Sequence, residues 1–427
     1  MRDFLPADKA RREAILGIIR GVYRRHGFDE IETPVAEDSE RLHAGLGGDN
    51  EKLAFGILKR GLTHDDLQAA REPLDLADLG LRFDLTVPLA RFYASHRAEL
   101  PGVFRSIQIA PVWRAERPQK GRYRQFVQCD IDVLGEPGPR AEAELLVATL
   151  DAVDALGLEG GFIRVNDRRL LIGMLATLGF AESEYDGALI TIDKLDKIAQ
   201  DGVLTELRDR GFTPTAVDAL EAFFRRPMTM EFLPFGEAAI RKALPAGADG
   251  SGPDPEALAG LVAIGEAVAE ARGSDPGDVL LQFDPFLVRG MGYYTGPIFE
   301  LAHPSVPYSL GGGGRYDGMI GRFLGTDVPA TGFSLGFERL VDLVDLPAAE
   351  GADAVALLHD ADLPLAELLT LKAELVASGA RVRLVAKPKN VKPTLDALAA
   401  EGFTRFAFVS SGATAAALEL RPLSAES

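Results

Sequence analysis

Between Val112 and Phe126 the chain carries Arg114, Arg117, Lys120, Arg122 and Arg124 against a single acid, Glu116. Guanidinium groups donate through a planar fork that matches phosphate oxygens, so this stretch could cradle a polyanion. Alone, it reads equally well as a solvated basic loop. Further on, Phe286-Leu-Val-Arg289-Gly-Met-Gly-Tyr293-Tyr294-Thr-Gly296 sets one arginine and two adjacent phenols among small residues, where backbone can approach a ligand closely. A tight turn with an incidental arginine would give the same pattern. Gly311 to Gly314 precede Arg315-Tyr316-Asp317. No Lys-Ser/Thr follows, which excludes a Walker phosphate loop, and the dinucleotide fingerprint is not satisfied. Close packing of backbone beside a ligand or an unusually tight turn remains.

The fourth cluster, Gly332-Phe-Ser334-Leu-Gly336-Phe-Glu338-Arg339, matches the nucleophile pattern Gly-x-Ser-x-Gly. A hydrolase would need a histidine base later in the chain, and only His359 follows, in what reads as a separate C-terminal unit. The alternative is a glycine-bounded strand that delivers Arg339, on the first turn of a helix, to a nucleotide.

These residues need rigid elements beneath them. Residues 8–26 place Ile15, Leu16, Ile18, Ile19, Val22 and Tyr23 at helical spacing, with Gly27 as the stop. Phe28 to Val35 reads as a strand entering a loop, and Leu81 to Thr86 as a strand before a helix that follows Pro88. Phe104 to Trp113 and Gln125 to Leu134 alternate apolar and polar, the pattern of a long antiparallel hairpin with the basic stretch at its tip. Residues 140–156 read as helical, and so does most of 165–275, broken by the Gly/Pro/Asp-rich run at 246–255. Strand-like runs return at 278–301 and 306–312, and Phe333 to Leu346 reads as a strand turning into a helix. Residues 353–423 alternate apolar strands with helices.

The whole chain is 427 residues long, 47% hydrophobic and 26% charged, as expected for two or three globular domains. One cysteine, Cys129, excludes an internal disulfide, and the six histidines show no metal-ligand spacing, so no metal site is expected from them. A net charge of −18 argues against a general nucleic-acid coat. Local basic surface still counts, because phosphate attraction decays over about 8–10 Å. No apolar run reaches membrane-spanning length and Met1-Arg-Asp-Phe4 starts no signal core, so a cytoplasmic protein without membrane contact is expected.

In this order, the clusters resemble the histidyl-tRNA synthetase family, over roughly residues 1–345. Arg114 to Phe126, running into Gln128-Cys-Asp130-Ile-Asp132, is similar to motif 2 of class II synthetases. Gly332 to Leu340 resembles motif 3, Arg289 to Gly296 the histidine-specific signature, and Leu81 to Thr86 the amino-acid-binding strand. Arg2-Asp-Phe-Leu-Pro6 resembles the family's usual opening. Gly292 stands where many members carry Asp, and the closing segment Ser410 to Leu420 lacks the family's Lys-bearing end. Residues 353–427 hold eight Lys plus Arg against nine Asp plus Glu, so no basic face is implied there.

The resemblance implies an α+β fold: an antiparallel-sheet catalytic domain in two parts (1–164 and 276–347), a helical insertion (165–275) and a small C-terminal α/β domain (353–427). It implies histidine activation with ATP and Mg²⁺, transfer to tRNA(His), and a homodimer whose interface uses the N-terminal helix and following strand. Arg114 and Arg289 would be the catalytic pair. ATP would be held by Arg114, Glu116, Arg122, Phe126 and Arg339, and histidine by Asp84, Thr86, Gln128, Asp132, Tyr293 and Tyr294. Two other readings share this fold: a histidine-sensing regulatory subunit of ATP phosphoribosyltransferase, and a paralogue that activates an amino acid for a non-tRNA acceptor. A pure regulator has no need of Arg114, Arg289 and Arg339 together.

Overall fold

A computed structural model of the chain describes residues 1–43, 54–117, 123–226, 235–246, 252–273, 280–289, 292–345 and 353–423. The basic hairpin tip, 118–122, with Arg122, lies outside them, as do Gly290 and Met291. The fold is α+β. The chain divides into two compact units, one of Met1 with Leu16–Val344 and the other of Arg2–Ile15 with Asp345–Ser427.

Elements follow in chain order. α1 (Pro6–Arg25) ends before Gly27, whose φ of 82° suits a residue without a Cβ. Next come β1 (Asp29–Glu30), β2 (Ala36–Asp38), α2 (Ser39–His43), β3 (Phe55–Leu58), α3 (His64–Ala69), β4 (Ala77–Leu81) and α4 (Thr86–His96). The long hairpin is β5 (Phe104–Trp113) and β6 (Gln125–Leu134), paired antiparallel along all ten positions. α5 (Arg140–Ala155) and β7 (Phe162–Asp167) lead into six helices: α6 (Arg168–Thr177), α7 (Tyr185–Ile192), α8 (Leu195–Asp209), α9 (Pro214–Phe224), α10 (Glu237–Ala243) and α11 (Pro255–Arg272). β8 (Leu281–Phe283), β9 (Pro297–His303), β10 (Val306–Arg315), α12 (Asp317–Leu324), β11 (Ala330–Gly336) and α13 (Phe337–Val341) close the larger unit.

Its main sheet has the order β1-β5-β6-β11-β10-β9-β7-β8, antiparallel except for the outermost pairs β1/β5 and β7/β8. β2, β4 and β3 form a small second sheet. Alternation along the strands gives the main sheet two unlike faces. One carries buried Ile107, Cys129, Ile131, Val133, Phe333, Leu335, Phe299, Leu301, Ile163 and Val165. α5 packs on β6 and β11, and α11 packs on α5. The other face is polar and paved with glycine. One cross-strand row on it runs Gln108, Asp130, Ser334, Gly312, Glu300, Arg164, and its neighbour runs Ser106, Asp132, Gly332, Gly314, Ile298.

Two local readings change. Leu81 to Thr86 is not a strand: β4 stops at Leu81, and Thr86 already opens α4. Asp84 Oδ1 accepts the Val87 amide at 3.1 Å, so a side chain rather than a sheet partner organises this stretch. The four glycines make no turn either. They lie inside β10, where a Cβ on Gly313 would sit 1.8 Å from the Gly332 carbonyl oxygen.

The C-terminal unit holds β12 (Ala354–His359), α14 (Leu365–Ala377), β13 (Arg381–Ala386), α15 (Lys392–Ala400), β14 (Arg405–Val409) and β15 (Arg421–Pro422). The sheet order is β13-β12-β14-β15, parallel except for its last strand. Val355, Leu357, Ala407 and Val409 bury one face against Leu368, Leu371 and Leu375 of α14. Ala354, Ala356, Leu358 and Phe406 bury the other against Leu398 of α15. That two-sided burial explains the continuous apolar run at 354–358.

Candidate active site

The polar face forms the floor of a cavity of about 780 Å³. Arg114, Arg289 and Arg339, far apart in the chain, all line it. So do Glu116 and Phe126 on the hairpin, Gln128, Asp130 and Asp132 farther along β6, Asp84 and Thr86 at the start of α4, and Tyr293, Tyr294 and Tyr316. Every site residue singled out in the sequence and lying within the described residues therefore borders one space.

Several are fixed by contacts that can be named. The buried Arg82 guanidinium donates to the carbonyls of Thr33 (2.7 Å), Pro34 (3.2 Å) and Pro111 (3.0 Å), pinning the stretch that presents Asp84. Arg114 Nε donates to the Phe83 carbonyl at 3.0 Å, and its guanidinium lies 5.1 Å from the centre of the Phe126 ring. Arg339, on α13, reaches back to the Ser309 carbonyl and covers the Tyr308 ring. Glu338 accepts from the Val127 amide at 3.3 Å, tying α13 to β6. Arg289 Nη1 pairs with Glu300 at 3.0 Å and is hydrogen-bonded to Tyr294. The Tyr293 phenol bonds to Tyr294 and Thr86.

On the same wall, three carboxylates lie within electrostatic reach of one another. Burial is the first cause of a pKa of about 6 for Asp84 and about 7 for Asp132, and it drives Asp130 well above the usual range, with Asp132 adding repulsion. The Tyr316 hydroxyl donates to Asp132 Oδ1 at 2.6 Å, and Gln128 Nε2 donates to Ser334 Oγ at 3.0 Å. Two buried acceptors on the cavity wall, Asp84 Oδ2 and Gln128 Oε1, have no partner. An unpaired buried acceptor costs about 1–3 kcal/mol, so both call for a donor that enters from outside. A cationic donor would also hold the carboxylates ionised.

Guanidiniums and carboxylates thus line one cavity, with Arg114 acting on both Asp84 and Asp130, which suits an anion and a cation at once. Among the described residues no group of three or more His, Cys, Asp or Glu is disposed to hold a metal ion. Ser334 is no nucleophile: it lies within β11, and its hydroxyl is engaged by Gln128 and Asp130 rather than by an imidazole.

The sequence reading assigned no role to Asp130, Tyr316, Glu300 or Arg164. Asp130 had a signal, since it lies between Gln128 and Asp132 at the spacing of one strand face. Glu300 and Arg164 had none, because their meeting depends on pairing β7 with β9 across the helical stretch.

A family model described as histidyl-tRNA synthetase matches residues 1–340. A protein of Leifsonia xyli subsp. xyli named histidine–tRNA ligase is 59% identical, covering 99% of this chain and 97% of its own. The crystal structure of histidyl-tRNA synthetase from Nostoc sp. PCC 7120 aligns with a TM-score of 0.75 at 25% identity, over 99% of this chain and 93% of that one. A structure from Bacillus halodurans, described as an ATP phosphoribosyltransferase regulatory subunit/histidyl-tRNA synthetase, aligns with a TM-score of 0.71 at 22% identity, over 97% of each chain, and shares the fold.

Proposed function

Because the chain belongs to the histidyl-tRNA synthetase family and is a histidine–tRNA ligase, we propose that the cavity is where histidine and ATP become histidyl-adenylate, with the following division of labour. The supporting observation is the convergence of Arg114, Arg289 and Arg339 on one cavity whose wall also presents unpaired buried acceptors.

Asp84, Thr86 and Gln128 take the α-ammonium: Asp84 Oδ2 and Gln128 Oε1 gain the donors they lack. Asp132 and Tyr294 take the imidazole nitrogens, and Tyr293 closes the side of the pocket. A site with such polar partners rejects side chains lacking them, because its own groups would stay unpaired. Phe126 stacks on adenine while Glu116 accepts from the adenine amino group. Arg339, together with Arg122 at the hairpin tip, holds the outer phosphates or the adenine face. The substrate carboxylate then attacks the α-phosphorus in line, and the bond to the β-phosphate oxygen breaks as pyrophosphate leaves. Two anions meet in this step. Arg114 and Arg289 lie on either side to neutralise the charge on the transferring phosphoryl group.

Glu338, next to Arg339 in the chain and on the cavity wall, would hold Mg²⁺, which would neutralise part of the triphosphate charge.

The helices from α6 to α11 form the insertion, and the small C-terminal α/β unit takes the place of an anticodon-binding domain. The chain is a homodimer through the N-terminal helix and following strand, and exposed Leu58, Leu67, Leu74 and Leu79 add apolar surface that a partner would cover. No helix among the described residues is long and apolar enough to cross a membrane, and we place the reaction in the cytoplasm.

The test is amino-acid-dependent exchange of pyrophosphate into ATP across the standard amino acids, followed by tRNA charging. Exchange with histidine alone and charging of tRNA(His) supports the reading. Exchange with no amino acid overturns it, and exchange without charging points to another acceptor.

A further inference from the structure

Arg289 lies on an irregular stretch, Leu287–Arg289, and not on a strand or helix. Its backbone is held at Leu287, whose amide donates to the Asp284 carbonyl at 3.1 Å and whose carbonyl accepts from Asn166 Nδ2 at 3.2 Å. A long side chain on such a segment has many rotamers, and a reactive geometry tolerates little wandering. Something has to hold the guanidinium.

The sheet supplies that group. Glu300 of β9 sits between Arg164 of β7 and Gly312 of β10 in one cross-strand row. Its carboxylate is only 14% exposed and bridges two cations: Oε2 to Arg289 Nη1 at 3.0 Å and Oε1 to Arg164 Nη1 at 2.8 Å. Arg164 is held in turn by Asp284 on its Nε, at 2.8 Å. Gly312 completes the seat, because a Cβ there would lie 2.7 Å from Arg289 Cζ. Asp193 adds a second carboxylate near Arg289, and the Arg289 guanidinium borders both Tyr294 and the cavity.

We propose that Glu300 is a positioning residue for the activation step: braced by Arg164, it fixes the Arg289 guanidinium where the α-phosphate is attacked. This rests on the role given to Arg289 above. Glu300 borders the same cavity, and in this proposal it acts through Arg289 rather than on a substrate. Its loss therefore lowers the rate of the step and leaves the binding of histidine and ATP nearly intact.

The experiment compares Glu300→Gln, Arg289→Met and the double variant in histidine-dependent pyrophosphate exchange, with thermal unfolding alongside. Glu300→Gln is expected to lower kcat by roughly 10- to 100-fold, the scale of a misplaced reactive group. KM for histidine and for ATP should stay within about twofold. The double variant should be no slower than Arg289→Met, because both act through one guanidinium. Wild-type kcat in Glu300→Gln, a loss carried by KM, or losses that multiply in the double variant would each overturn the proposal. Wild-type exchange by Arg289→Met overturns the role of Arg289 itself, and this inference with it. An inactive Arg289→Met beside a fully active Glu300→Gln removes the tether alone. If Glu300→Gln does not fold, Glu300→Asp keeps the charge and shortens the reach. The same kcat-selective loss is then expected, and wild-type kcat again refutes it.

Discussion

The Tyr316 hydroxyl holds Asp132 Oδ1 at 2.6 Å, and this one bond is what offsets the burial of that carboxylate. The offset is partial. Burial still leaves Asp132 with a pKa of about 7, against 3.8 for an ordinary aspartate. The native state therefore holds more protons than the unfolded chain between those values, and stability falls as pH rises through the window. Asp132→Asn keeps the shape and an acceptor for Tyr316 but never ionises. The substrate-free variant should therefore be more stable than wild type at pH 8, by roughly 2–4 kcal/mol. The advantage should shrink toward pH 5. Thermal unfolding at several pH values checks this, and a difference that does not change with pH refutes it.

The same carboxylates make amino-acid binding proton-linked. Asp84, near 6, and Asp132, near 7, are partly protonated in the empty site at mildly acidic pH, and a cationic ligand binds their ionised forms. Binding releases protons, so acid competes with the substrate. KM for histidine in pyrophosphate exchange should rise by roughly 3- to 10-fold between pH 7.5 and 5.5, with a smaller change in KM for ATP. A flat histidine profile would show that these groups do not face the ligand.

Much of this was legible locally, and the failures share a cause. The hairpin strands are bounded where period-2 alternation starts and stops, so Phe104–Trp113 and Gln125–Leu134 were readable to the residue. Leu81 to Thr86 has the β-branched and aromatic content of a strand. It ends otherwise because Asp84 caps α4 and buried Arg82 satisfies carbonyls of three other residues. Neither fact is visible in six residues of sequence. Gly311 to Gly314 announced close backbone approach but not its direction. That depends on Phe299, Gly332 and Ser334 from neighbouring strands. Glu300 stayed silent because its two partners arrive from 136 residues before it and 11 residues before it.

Gly332 is constrained by a side chain of the cavity wall. A Cβ built there falls 1.9 Å from Asp132 Oδ1, whose only escape is away from Tyr316 or into the cavity. Gly332→Ala should therefore displace the Asp132 carboxylate while β11 keeps its pairing. The expected result is a rise in KM for histidine of about tenfold or more, the worth of one polar contact, with KM for ATP changed little. Equal effects on both substrates would mean that the strand itself had moved.

The glycine strand ends on a buried ion pair that has a structural role. Arg315, closing β10, donates Nε to Glu142 Oε1 at 2.6 Å and Nη2 to Oε2 at 2.9 Å. It also reaches Asp317 and the carbonyls of Glu136 and Gly138. Glu142 is 1% exposed on α5, which packs on the apolar face of the sheet, so this pair welds the sheet to its covering helix. Removing one partner strands the other charge in the interior. Arg315→Met should cost about 3–5 kcal/mol, and Glu142→Gln a similar amount. The double variant Arg315→Met with Glu142→Leu should recover part of that loss, because no uncompensated charge remains. Denaturant unfolding of all three decides it: additive losses in the double variant would show that the two residues stabilise the fold independently.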